Sequence, residues 1–327
     1  MNKRMLIQKI AYIGVILILL LAFFYSGLQI LESTVFRHEE TEVSLEKRKT
    51  LVVDGISYFP RQDITVILLM GIDQSGPVVA SESYNNDRAA DMITLVVCDE
   101  KKEEIRLLSL NRDTMLEMPV LGFDRRRAGT IVGQLALAHT YGSGLEDSCE
   151  NIKTAISDFL KGLRIDYYIA MNMDAVAILN DSVGGVTVTV TDDFSAVDPS
   201  ITLGEMTLQG EQALHFVRSR KDVGTHLNLS RMERQKEYMN SFTVAFREKV
   251  CGSDTFFLRT YNTVAPYLVS DLPINTLNAM MSRYEGYEVV EVLSLPGENK
   301  MGQTYYEFYP DQMELEALTL ELFYGPK

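Results

Sequence analysis

Residues 64–73 read ITVILLMGID, an almost continuous apolar run closed by Gly71. A strand with one wet face alternates; a run like this belongs to a strand covered on both faces. Two further strands follow, MITLVVC (92–98) and EIRLLSL (104–110), joined by a charged turn from Asp99 to Glu103. The polar segment 74–87, with Gly, Pro, Ser and paired Asn, is a loop. Upstream, TLVVDGISYF (50–59) alternates around Asp54-Gly55, the mark of a tight hairpin. Downstream, helical spacing predicts helices over 130–141 and 145–160, a strand at YYIAMN (167–172), a helix from Asp174 to Leu179, and a strand at VTVTV (186–190). Helices over 255–269, 274–284 and 311–323 surround a last strand, EVVEVLSL (288–295). Strands alternating with helices predict an α/β fold, a layered α-β-α domain around a central mixed sheet.

The chain has 327 residues, enough for a proper core, and its net charge of −14 argues against a nucleic-acid partner. From Ile10 to Leu31 there is no charged residue. At about 1.5 Å per residue, that run crosses a hydrocarbon layer of ~30 Å. Lys3, Arg4 and Lys9 precede it, which keeps the N-terminus in the cytoplasm and sends the rest outside the cell. The run is longer than the apolar core of a signal peptide and no small-x-small cleavage site follows, so it is read as a retained single-pass anchor. The expected layout is a cytoplasmic tail (1–9), a transmembrane anchor (10–31), a stalk and hairpin (32–62) and one extracytoplasmic domain (63–327). Cys98, Cys149 and Cys251 show no metal-binding spacing; one pair could form a disulfide.

The chemistry is concentrated at residues 210–238, GEQALHFVRSRKDVGTHLNLSRMERQKEY. A short amphipathic helix ends in Arg218 and Arg220, which share one side if the backbone there is extended. A loop follows, and Ser230 with Glu233 reads as the capping box of a second helix running to Val250. That cap puts Arg231 in the first turn and Gln235 four residues on, on the same face. Arginines and an amide beside a helix N-terminus suit an anion. Surface charge is the ordinary alternative for such a helix start.

A second cluster lies at three strand ends: Asp73 after the first buried strand, Asp91 before the second, and Arg112-Asp113 after the third. Open α/β sheets bind ligands at the carboxyl ends of their strands. Whether these elements meet depends on an antiparallel pairing that spacing alone does not fix. Two carboxylates suit Mg²⁺, which fills its octahedron with water and phosphate oxygens. Arginines beside it suit a phosphoryl or pyrophosphate group. A turn cap at Asp73 and a strand-end ion pair at Arg112-Asp113 are the structural alternatives. Arg125, Arg126 and Arg127 form a denser basic run in a Gly-containing loop, which is read as lying outside the binding site.

Taken together, Gly71-Ile72-Asp73, Asp91 within RAADM, Asn111-Arg112-Asp113-Thr114, Arg218-Ser219-Arg220 and Arg231 with Arg234-Gln235 resemble, in order, the motifs of the LytR-CpsA-Psr family of envelope proteins. The likeness covers roughly residues 64–240. It implies a transferase that moves a wall polymer, such as teichoic acid or capsule, from a polyprenyl-pyrophosphate carrier onto peptidoglycan. By the same resemblance Asp73 and Asp91 would hold Mg²⁺. Arg112, Arg218, Arg220, Arg231 and Gln235 would hold the pyrophosphate, with Asp91, Arg112, Arg218 and Arg220 closest to the chemistry and the prenyl chain in an apolar tunnel. The chain departs from the family pattern in four places. Asn111 stands for a proline, and Ala89-Ala90 replace Arg-Ser with Arg88 one residue early. Gln134 to His139 replaces a KIN-x-AY segment, and Asn228 stands where an acidic residue is common, which leaves the general base unassigned. His139, alone on an apolar segment, is read as structural. A hydrolase of the same lipid, or a non-enzymatic sensor or scaffold for the lipid-linked polymer, remains open alongside the transferase.

Overall fold

A computed structural model describes residues 50–83, 85–219, 223, 228–253, 255–284 and 286–326. The expected anchor and most of the stalk lie outside them, as does Arg220. Among the described residues no helix is long and apolar enough to cross a membrane.

The hairpin β1 (Leu51–Val53) and β2 (Ile56–Pro60) turns at Asp54 and Gly55, both at positive φ, as a two-residue loop between twisted strands requires. The three apolar runs become β3 (Ile64–Ile72), β4 (Ala90–Asp99) and β5 (Glu104–Leu110). Next come the hairpin β6 (Met115–Leu121) and β7 (Arg127–Gln134), a 3-10 helix (Leu135–Thr140) and α1 (Glu146–Phe159). Then follow β8 (Tyr167–Asn172), α2 (Met173–Ser182), β9 (Val186–Val190), β10 (Gly204–Leu208), α3 (Glu211–Arg218) and α4 (Asn228–Gly252). The chain closes with α5 (Phe256–Val264), β11 (Leu268–Ser270), α6 (Ile274–Tyr284), β12 (Glu288–Ser294), the hairpin β13 (Gly297–Met301) and β14 (Tyr306–Pro310), α7 (Gln312–Phe323) and β15 (Tyr324–Pro326). β15 pairs with β2, so the N-terminal hairpin is joined to the end of the domain.

Three expectations change. The helix predicted over 130–141 is β7 followed by a 3-10 helix. Thr130, Ile131 and Val132 are β-branched and lie on a solvent-facing strand, where apolar spacing does not report a buried helix face. The helix predicted over 255–269 stops at Val264, before Pro266, and Leu268–Ser270 joins the sheet as an edge strand beside β8. The second helix of the arginine stretch begins at Asn228, so Ser230 sits buried in its first turn instead of capping it. Asn228 is itself a residue favoured at helix starts.

The central six-stranded sheet has the order β11-β8-β3-β4-β5-β12. β3 runs parallel to β8, and β5 to β12; β4 is antiparallel to both β3 and β5, so β3, β5, β8 and β12 all point the same way. Side chains alternate across the sheet plane. Ile67, Leu69, Val96 and Ile105 face one apolar cluster together with α2 to α6, while Val66, Leu68, Met70 and Val97 face another together with α1 and α7. The arrangement is the expected α-β-α layering of a mixed sheet. Cys98 and Cys149 are buried free thiols on opposite faces of the sheet, so they do not pair with each other.

Candidate anion and metal site at the carboxyl edge of the sheet

The strand directions settle the pairing left open by the sequence. Ile72 lies opposite Ala90, and Ile93 opposite Leu110. The segment after β3, the start of β4 and the segment after β5 therefore share one edge, and Asp73, Asp91 and Arg112 share it with them. The register shifts there: Gly71 pairs with Met92 but Ile72 with Ala90, leaving Asp91 as the extra residue of a bulge. A bulge redirects the side chain it carries. Asp73 is fastened alongside, its backbone N–H donating to the Ala89 carbonyl at 3.0 Å. The backbones approach closely at Gly71, where an added Cβ would stand 3.1 Å from the Cβ of Met92.

Each carboxylate has an arginine. Arg112 donates to Asp91 through Nη1, with both side chains largely buried. Arg218, the last residue of α3, donates to Asp73 at 2.7 Å, and this pair is about half exposed. Arg218 is thus still helical, and the extended backbone expected around it begins at Ser219 (φ −63°, ψ 133°). Arg220 lies outside the described residues. Arg231 is buried in the first turn of α4, and Gln235 donates its amide N–H to the Val217 carbonyl at 3.0 Å. The geometry therefore pairs Asp91 with Arg112 and Asp73 with Arg218 along one edge of the sheet, and gives Gln235 a partner in the backbone of α3.

The turn that aims Arg112 is built by its neighbours. The Asn111 side-chain oxygen accepts from the Asp113 N–H at 3.0 Å, and Thr114 donates through Oγ1 to the Asn111 carbonyl at 2.6 Å. Asn111 thereby makes by hydrogen bonding the turn that a proline would preset. Leu135 and Ala136 donate backbone N–H groups to the carbonyls of Thr114 and Arg112, at 2.9 and 3.0 Å. Gln134 bridges Asp113 Oδ1 (3.1 Å) and the Tyr306 carbonyl (2.8 Å). It braces the turn and brings no charge. The Nε of Arg112 is buried 3.6 Å from Asp113, with no hydrogen bond among the described residues.

Arg88 is committed elsewhere, donating to the Val79 carbonyl at 2.6 Å. His139 is fully buried and lies 2.7 Å from the Arg88 carbonyl through Nδ1, which fixes Nδ1 as the donor. Its Nε2 faces the Cys149 thiol at 3.8 Å. Burial lowers its pKa from 6.5 to about 4, so it is neutral and structural at pH 7. A further brace was not legible in the sequence. Asp174 accepts the Gly76 N–H at 2.7 Å and Asn172 donates to the Gly76 carbonyl, tying the loop after Asp73 to the end of β8. Short polar residues at a strand-to-helix junction read only as helix caps, and Asn172 does cap α2.

Among the described residues no three His, Cys, Asp or Glu side chains gather as a metal cage. Two carboxylates at one edge are nevertheless a donor set that fits Mg²⁺, which takes one or two such ligands and otherwise keeps water and phosphate oxygens.

A mixed sheet between two helical layers, with paired aspartates and arginines at its carboxyl edge, defines a layered α/β protein with a candidate anion-binding edge. The chain belongs to the LytR_cpsA_psr family, whose model matches residues 27–323. Among similar proteins is a Bacillus licheniformis protein named polyisoprenyl-teichoic acid–peptidoglycan teichoic acid transferase TagU, 24% identical over 98% of this chain and 95% of its own length. An Oceanobacillus iheyensis protein of the same name is 27% identical over 70% of this chain, a match that spans 65% of that relative. The fold is shared with a solved structure described as TagT bound to LI-WTA, with a TM-score of 0.59 and 23% identity over 80% of this chain and 90% of that one.

Proposed function

We propose that this chain is a membrane-anchored, extracytoplasmic phosphotransferase that moves a glycopolymer from a polyprenyl-pyrophosphate carrier onto peptidoglycan. Membership of the family and the names of its relatives support the reaction class. The observation that supports assigning a site is that two ion pairs, Asp73–Arg218 and Asp91–Arg112, lie along the same carboxyl edge of the sheet. In the reaction a sugar hydroxyl of peptidoglycan attacks the phosphorus that carries the polymer. The new P–O bond forms as the bond to the carrier phosphate breaks, and polyprenyl phosphate leaves with the electron pair.

The residues on this edge supply positioning and charge. Arg112 and Arg218 would donate to the two phosphates, Arg218 from the exposed side and Arg112 from the buried one. Guanidinium forks match phosphate oxygens better than an ammonium would. Arg220 and Arg231 are proposed as further donors. Asp73 and Asp91 would hold Mg²⁺, which when bound neutralises charge building on the transferred and leaving phosphates. With metal and phosphate bound, the carboxylates and arginines would trade their mutual pairing for these partners, leaving no charge bare.

The test is product analysis with the full chain, a polyprenyl-pyrophosphate-linked oligosaccharide, Mg²⁺ and peptidoglycan fragments. The reading requires a phosphodiester-linked glycan on the acceptor and release of polyprenyl phosphate. Free phosphorylated glycan formed equally with and without acceptor would make the chain a hydrolase. Binding without any turnover would make it a receptor for the lipid-linked polymer.

A further inference from the structure

At the end of α3 the backbone of Phe216, Val217 and Ser219 meets two side chains of α4, Arg234 and Gln235. The last carbonyls of a helix have no partner within it and need one from elsewhere. α3 ends at Arg218, and its His215 carbonyl is taken by the Ser219 N–H at 3.1 Å. The carbonyls that follow are taken by side chains of another helix. Arg234 donates through Nε to the Phe216 carbonyl at 2.9 Å and through Nη2 to the Ser219 carbonyl. Gln235 donates to the Val217 carbonyl between them, at 3.0 Å. Arg234 is 4% exposed, its charge met by Asp192 through Nη1 and its plane lying over the ring of Phe194 at 5.3 Å. A buried cation at the C-terminus of a helix also meets the negative end of the helix dipole.

We infer that Arg234 and Gln235 are positioning residues, a C-terminal cap supplied by α4 to α3 that fixes where α3 ends and so aims Arg218 at the Asp73 edge. Within the R-x-x-RQ element, Arg234 and Gln235 thus reach the backbone of α3. The functional half of the inference rests on the pyrophosphate reading above; the structural half does not.

The test uses the full chain in detergent, with two readouts. Hydrogen exchange at the Ser219 amide reports the end of α3 without any ligand. Arg234→Met, which keeps the packing and removes the donors, should speed it tenfold or more while amides of β3 stay protected; Arg234→Lys should recover part of this. Gln235→Met should speed it a few-fold, and serves if Arg234→Met does not fold. The second readout is binding of geranylgeranyl pyrophosphate with Mg²⁺ to the parent, Arg218→Ala, Arg234→Met and the double variant. If Arg234 acts through Arg218, the double variant binds within about twofold of the weaker single one. Unchanged exchange at Ser219, or losses that multiply in the double variant as for two direct ligands, would overturn the inference. Failure of the parent to bind the probe would count against the pyrophosphate reading alone, and the exchange result would still decide the cap.

Discussion

His139 makes the stability of this fold depend on pH between about 6.5 and about 4. Its ring is buried, donates through Nδ1 to the Arg88 carbonyl, and turns Nε2 towards the Cys149 thiol, a weak hydrogen-bonding group. A second proton on Nε2 would put a charge in an apolar site, which is why the pKa falls from 6.5 to about 4. The unfolded chain takes up that proton near 6.5 and the folded chain only near 4. Stability from this group is therefore full above 6.5 and is lost as pH falls towards 4, after which both states are protonated. At about 1.4 kcal/mol per pH unit the complete effect is about 3 kcal/mol, of which about 2 kcal/mol falls between pH 7.5 and pH 5. Urea denaturation of the parent and of His139→Asn over that range should show it. Asparagine can place an N–H near the position of Nδ1 without titrating; the variant should be less stable at pH 7.5 yet lose about 2 kcal/mol less on acidification. Equal pH slopes for the two proteins would mean that the ring is charged or hydrated in the folded state, and the reasoning would fail.

Two other outcomes are expected. Arg218→Ala should weaken geranylgeranyl-pyrophosphate binding about ten- to hundredfold, the worth of one or two charge-assisted bonds at about 1.5–3 kcal/mol, while Arg126→Ala at the exposed β6–β7 turn should bind like the parent; equal losses at fixed salt would show that general surface charge holds the ligand. Gly71→Ala should cost about 1–3 kcal/mol of stability because the new Cβ would crowd Met92 across the bulge, and Gly71→Val should cost more; an alanine variant as stable as the parent in denaturant would remove the close-approach argument.

Much of the layering was legible because burial on both faces leaves a simple trace. ITVILLM could only be an interior strand, and the helices at 146–159 and 274–284 kept their apolar stripes. The hairpins β6–β7 and β13–β14 were illegible for the opposite reason. β7 and β13 stand largely in solvent, so Ile131, Val132 and Met301 are exposed and neither strand carries a buried face. The candidate site is proposed from its residues, and its geometry was not legible. Asp73, Asp91 and Arg112 stand out at the ends of apolar runs, but their meeting needs β4 to run antiparallel between β3 and β5, and one bulged residue. The capping of α3 was hidden more deeply. Arg234 and Gln235 look like any basic, polar first turns of a helix, because a side chain that caps another helix's backbone has no sequence signature of its own.

The charges at the edge lead to a last expectation. Asp73 with Arg218 and Asp91 with Arg112 form two ion pairs, so these four residues carry no net charge. A pyrophosphate diester arriving alone would draw the arginines away and leave two carboxylates beside its own negative charges. A divalent cation arriving alone would take the carboxylates and leave two guanidiniums beside it. Either event places like charges together in a partly buried site, where screening is weak. Arriving together, cation and pyrophosphate satisfy both sets at once. Mg²⁺ and lipid pyrophosphate should therefore bind with positive coupling, and linkage requires that each raise the affinity of the other by the same factor, of the order of 5–150-fold. Calorimetric titration of geranylgeranyl pyrophosphate into the full chain, with millimolar Mg²⁺ and with a chelator, measures one side of the cycle. Repeating it with Asp73→Asn and Asp91→Asn should shrink the coupling, because the amide has no charge to give the cation. The pair also separates metal bound by the protein from metal carried in on the ligand. An affinity that does not change with Mg²⁺, or a coupling untouched by removing both carboxylates, would take the cation away from Asp73 and Asp91 and leave the arginines to hold the pyrophosphate on their own.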